Sequence, residues 1–151
     1  MEKLRLRPHH LLCIPRYFRG GYNKEYADNF RRICFSIREK PYLDIEIVLG
    51  CDDVCEKCSY RQDNTCTKRE GINELILIQD RKVLETLKIK TGDIFKAKDI
   101  FTLSINKIKN EDLEKFCKIY RGCDYLNSCI SYGFNKSFVK NISQNGNRRA
   151  S

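Results

Sequence analysis

A chain of 151 residues and 17.8 kDa can enclose one ordinary hydrophobic core but not two domains of typical size. Its 29 Lys and Arg against 20 Asp and Glu give a formal charge of +9, yet the basic residues are spread along the whole chain. No helix-turn-helix, finger or RNP pattern organises them, so nucleic acid is only a weakly supported partner and a solvated basic surface accounts for the charge.

From the N-terminus, KLRLR (3–7) alternates polar and apolar residues with period two, as does DIEIVL (44–49), and both predict short strands able to pair. MEKLRLRPHH has no apolar run of signal-peptide length. No later stretch reaches the roughly 20 apolar residues that span a bilayer, which sets the expectation of a cytoplasmic chain without a membrane segment. HHLLCIPRYF predicts a helix kept short or kinked by Pro15, which lacks a backbone donor. After Gly20-Gly21, the recurrence of Tyr26, Phe30, Ile33, Cys34 and Ile37 predicts an amphipathic helix over 24–40. Helices are also expected over 73–89, with Ile76, Val83, Leu84 and Leu87 inward, over 97–109, and over 111–120 with Asn110 as N-cap. A Thr91-Gly92-Asp93 turn separates the first two of these. From Ser143 onward no large apolar residue occurs, which predicts a disordered tail over 143–151 behind a single domain at 1–142. The fold class expected is α+β and predominantly helical: about five helices, a minor strand pair and a cysteine-rich metal-binding loop.

That loop, GCDDVCEKCSYRQDNTC (50–66), holds four of the nine cysteines among charged and polar neighbours. In a reducing compartment such a group points to metal or redox chemistry rather than disulfides, and an odd total rules out full pairing. Cys55-x2-Cys58 lets one turn aim two sulfurs at a single metal, and Cys66 returns from the same loop. Cys117, Cys123 and Cys129 form a later group. Cys34 and Cys117 lie on apolar helix faces and read as packing residues. Cys51-x3-Cys55-x2-Cys58 matches the radical-SAM spacing, but the helical stretch behind it does not supply the βα barrel that chemistry needs, and Cys51 reads as a bystander.

Three thiols from one loop and a fourth from a distant segment is a common way to complete a cubane. The ligand set expected is therefore Cys55, Cys58, Cys66 and one of Cys123 or Cys129, with Cys13 in reserve. Zinc is the rival occupant, because all-sulfur donors suit both metals; the single Cys-x2-Cys knuckle and the surplus of cysteines tilt the balance to iron. His9 and His10, the two histidines, are candidates for hydrogen bonding around the metal, or for packing against the strands.

LRPHHLLC (6–13), GGY (20–22), DIEIVLGCDDVCEKC (44–58) and Cys123-x5-Cys129 together resemble an uncharacterised prokaryotic family, domain of unknown function 1284. The resemblance covers roughly residues 4–130. It implies an iron-sulfur protein whose hallmark cysteines fall on Cys13, Cys55, Cys58, Cys66, Cys123 and Cys129. The expected function is a small 4Fe-4S protein in electron transfer or redox sensing, working with a redox partner protein. The alternatives are a zinc-stabilised interaction or nucleic-acid-binding module, and an enzyme with an open-coordinate cluster iron.

Overall fold

The two period-two segments pair, and a third strand joins them. In the computed structural model, which describes residues 3–16, 23–117, 129 and 133–150 (side chains of the last helix only to 143), β1 (Lys3–Leu6) runs parallel to β2 (Asp44–Ile47). β5 (Ile94–Lys96) pairs antiparallel with the other edge of β2, giving the order β1-β2-β5. A parallel pair needs a long crossover, here supplied by α1 (His10–Cys13), a 3-10 turn at Ile14–Arg16 and α2 (Lys24–Glu39). β5 escapes sequence reading because three residues are too few to display a period.

Leu4 and Leu6 of β1 and Ile45 and Ile47 of β2 face one core with Ile33 and Ile37 of α2. α3 (Ile72–Leu87) adds Val83 and Leu87, and α4 (Ala97–Lys107) adds Ile100 and Phe101. Each such aliphatic side chain, fully buried, contributes roughly 1.5–3 kcal/mol, which is why the apolar stripes decide where the helices lie. The helix expected over 111–120 begins as a 3-10 turn at Asn110–Asp112 and continues as α5 (Leu113–Cys117); 118–120 fall outside the described residues. Asn110 does not cap it. Its side-chain oxygen accepts instead from Arg16 Nε at 2.7 Å.

α6 (Lys136–Ala150) anchors Phe138 and Ile142 in the core, Phe138 meeting Phe101 edge-on at 5.5 Å. The helix continues through 143–150, where composition alone predicted a tail. Six helices and short strands among the described residues make the fold α+β and mainly helical. Within those residues, no helix is long and apolar enough to cross a membrane.

Candidate metal centre

The cysteine loop is closed by local geometry that the sequence only hinted at. After β2 the chain passes Gly50, whose φ of +93° is costly for any side chain and where an added Cβ would strike the side chain of Asn64. The loop then runs back along β1: Asp53 N–H donates to Arg5 O at 3.1 Å, and Asp53 Oδ2 accepts from Arg5 N–H at 2.7 Å. A 3-10 turn at Val54–Lys57 carries Cys55 into position, with Cys58 N–H donating to Cys55 O at 2.9 Å. A small hairpin follows, β3 (Arg61–Gln62) and β4 (Thr65–Cys66), joined by Asp63-Asn64 with Asp63 at φ +52°. It returns Cys66 opposite Arg61, three residues beyond Cys58. Asn23, just before α2, holds the loop from outside by donating to Lys57 O and accepting from Ser59 N–H, both at 3.1 Å.

Beneath this loop lies a buried charged network. Asp52 Oδ2 accepts from Arg7 N–H at 2.7 Å and from His10 Nδ1 at 2.6 Å, and its Oδ1 accepts from the N–H groups of Val54 (3.0 Å) and Cys55 (3.2 Å). Burial alone would raise the pKa of this carboxyl, but the His10 contact and the Arg7 backbone and guanidinium outweigh it and hold the pKa down to about 2. Asp52 is therefore an anion with all four lone-pair sites engaged. It positions its neighbours and has nothing left for a metal.

Asp80 plays the matching role one layer away. Its Oδ1 accepts from His9 N–H at 2.9 Å and His9 Nδ1 at 2.7 Å, and its Oδ2 accepts from Arg7 Nε at 2.8 Å. Burial lowers the His9 pKa to about 4 against the pull of Asp80, so the ring is neutral near pH 7. The two imidazoles lie 4.2 Å apart, tilted by 55°, each pinned through Nδ1 by its own buried carboxylate. That arrangement fixes the tautomer and, whenever a ring is neutral, leaves its Nε2 as the lone-pair atom, the usual way a protein prepares histidine beside a metal. A ring nitrogen of His10, a carboxylate oxygen of Asp52 and Cys55 Sγ lie within 4.8 Å of one another.

The thiols of the loop sense each other. Cys51 and Cys55 are hydrogen-bonded, and sharing that proton pulls the Cys51 pKa down to about 7 while pushing Cys55 up. Burial, with the charges of Cys66 and Cys51 adding to it, raises Cys58. Arg7 counters this. Although burial opposes its charge, Asp80 and then Cys55 stabilise the guanidinium and raise its pKa.

A second set of cysteines surrounds a second buried arginine. Arg16 donates from Nε to Asn110, from Nη1 to Leu12 O at 2.8 Å and from Nη2 to Ile108 O at 3.0 Å, and it lies 4.2 Å over the Phe134 ring. Burial lowers its pKa, partly offset by the thiols of Cys13, Cys129 and Cys117.

Of the expected ligands, Cys55, Cys58 and Cys66 lie in the one loop, with Cys66 close enough to act on Cys58, while Cys13 and Cys129 act on Arg16 and Cys123 falls outside the described residues. Cys34 packs in the core as expected; burial pushes its thiol up to about 12. Cys117 is also buried in the core, yet it belongs with the Arg16 group. His10 does more than pack against strands. Sequence reading set Cys51 aside as a bystander and did not single out Arg7, Asp52, Asp80 or Arg16. Asp80 left a legible signal, a charge on the inward face of α3 between Ile76 and Val83.

The family model described as "Protein of unknown function (DUF1284)" matches residues 21–129, and the chain belongs to that family. Searches of curated proteins and of solved structures find no match.

Proposed function

We propose that this DUF1284 member is a small iron-sulfur protein that holds a 4Fe-4S cluster in the loop 50–66 and serves electron transfer or redox sensing with a partner protein. The observation that carries the reading is the grouping of four free thiols in one loop, with Cys51 hydrogen-bonded to Cys55, Cys58 sensing Cys51 and Cys66, and Arg7 acting on Cys51 and Cys55. Cys51 takes the fourth position that sequence reasoning gave to Cys123 or Cys129, because Gly50 and the hairpin fold the loop onto itself.

The donor set fits the group in two respects. Four thiolates around zinc would sit about 3.8 Å apart given tetrahedral Zn–S bonds of about 2.3 Å. Among the described residues no three sulfurs lie within 4.8 Å of one another, so no three-thiolate zinc site is preformed there. Second, Arg7 Nη2 is buried without a hydrogen-bond acceptor, and a cluster supplies sulfide acceptors that a bare metal ion lacks. Such a cluster contributes reversible one-electron chemistry. The chain's own part is to hold it with thiolates, exclude water and set the surrounding charge. One observation favours a second reading: His10, its imidazole held through Nδ1 by the Asp52 carboxylate, lies beside Cys55, and a carboxylate-held imidazole next to a thiol is also a zinc-site pattern.

Purification without oxygen decides between them. Brown protein absorbing broadly near 400 nm, with about four iron and four sulfide per chain, is expected. That colour should be lost in Cys58→Ala and Cys66→Ala and kept in Cys34→Ala. Colourless protein carrying one zinc would overturn the cluster reading.

A further inference from the structure

Among the described residues Arg7 has one of the most deeply buried side chains, 1% exposed, and it is held at two points. Its backbone N–H is fixed on Asp52, its Nε on Asp80, and Asp52 is in turn fixed by the N–H of Cys55. The guanidinium therefore has no freedom to seek an acceptor by rotating, and Nη2 is left buried with none. An orphaned donor of this kind costs about 1–3 kcal/mol, more when charged, and native structures keep one where something else is meant to accept. Cys55 is close by: its Sγ lies within 4.8 Å of an Asp52 carboxylate oxygen, the backbone N–H groups of Arg7 and Cys55 share that carboxylate, and the thiol acts on the guanidinium charge.

Resting on the iron-sulfur reading above, we propose that Arg7 Nη2 donates a charge-assisted hydrogen bond to the bound cluster, to a sulfide or to the Cys55 thiolate, and thereby sets its reduction potential. The direction follows from electrostatics. One-electron reduction adds a negative charge to the cluster, and a fixed donor on a cation stabilises the reduced form more than the oxidised one. Arg7 raises the potential. Asp80 serves this arrangement by fixing the guanidinium, a positioning role: its carboxylate holds Nε and leaves Nη2 as the buried nitrogen without an acceptor. The two imidazoles cannot substitute as donors while neutral, since each N–H is spent on a carboxylate.

The test uses the full chain reconstituted anaerobically with iron and sulfide and titrated with dithionite. Arginine labelled with nitrogen-15 in otherwise unlabelled protein should give a resolved hyperfine coupling to the reduced cluster, together with a strongly coupled proton that exchanges in deuterium oxide. Arg7→Gln should lose both and shift the midpoint potential negative; Arg7→Lys, which keeps charge without the planar fork, should fall between. Because the charge of Arg61 also reaches Cys51, the labelled measurement is repeated in Arg61→Lys, and a coupling lost there instead of retained overturns the assignment to Arg7 even if neither Arg7 variant folds. A cluster that shows no arginine coupling overturns the proposal while leaving the iron-sulfur reading intact. Failure of the wild-type chain to take up a cluster overturns both, and the two failures are distinguished by iron and sulfide content. Equal potentials in wild type and both folded variants would also overturn it.

Discussion

Two arginines are buried in this small molecule, each beside a group of cysteines, and the protein treats them in opposite ways. Arg7 meets the carboxylate of Asp80 and lies near that of Asp52, so its charge is stabilised despite burial. Arg16, equally buried, is given only neutral acceptors, the Asn110 amide and the carbonyls of Leu12 and Ile108, and an aromatic face. Among the described residues it meets no carboxylate, and burial lowers its pKa. The difference separates a charged network from a neutral one. Around Arg7 the network is charged, titratable and built on a donor with no acceptor; around Arg16 the donors are satisfied, and they tie the α1 turn to the junction before α5.

The largest effect should come from cutting the charged network at its centre. Asp80→Ala leaves Arg7 a buried cation and frees the His9 ring, and removing one partner of a buried ion pair typically costs about 3–5 kcal/mol. Urea denaturation of the metal-free protein should show that loss, with Asp80→Asn less severe because it retains an acceptor. A loss below about 1 kcal/mol would mean that the network is far wetter than its burial indicates.

Much of the scaffold around these networks is legible in the sequence, and the reason is local periodicity. Leu4 and Leu6 alternate and become the inward face of β1; Tyr26, Phe30, Ile33 and Ile37 recur at helical spacing and become the inward face of α2. The candidate site is less legible because its pieces come together only in space. Alternation makes Arg7 an outward residue, but the strand ends at Leu6 and the chain turns Arg7 inward to Asp52 and Asp80, which are 45 and 73 positions away. Cys51 looks like a bystander until Gly50 and the hairpin fold it against Cys55. Asp80 could have been found, as a carboxylate on an apolar stripe asks for a buried partner.

Acid should distinguish the two arginine networks next. The folded pKa of His9 is depressed to about 4 from 6.5, so between those values the unfolded chain takes up a proton that the native ring refuses. Stability is therefore complete above pH 6.5 and is lost as the pH falls toward about 4, by at most about 3 kcal/mol. Asp52, depressed from 3.8 to about 2, has the same sign and extends the loss below pH 3.8. In metal-free protein His9→Asn, whose amide can still donate to Asp80, should flatten the first part of the profile. Arg16→Met should leave the slope unchanged. An unchanged profile in His9→Asn would remove His9 as the source of acid sensitivity.

The smallest effect is expected where the charge is not paired. In Arg16→Met the aliphatic stem is kept, the cost of burying a cation disappears, and what is lost is three hydrogen bonds to neutral acceptors. A bond of that kind is worth about 0.5–1.5 kcal/mol net, and replacing a buried charge by an apolar side chain recovers part of the sum. The expected loss is about 2 kcal/mol in urea denaturation, clearly below that of Asp80→Ala. A loss as large as Asp80→Ala would show that Arg16 has an anionic partner after all. The groups that already offset its depressed pKa are the thiols of Cys13, Cys129 and Cys117. Three of them ionised around a divalent metal carry a net charge of minus one, which a single arginine neutralises, so metal analysis of wild type and Arg16→Met side by side would then be the deciding measurement.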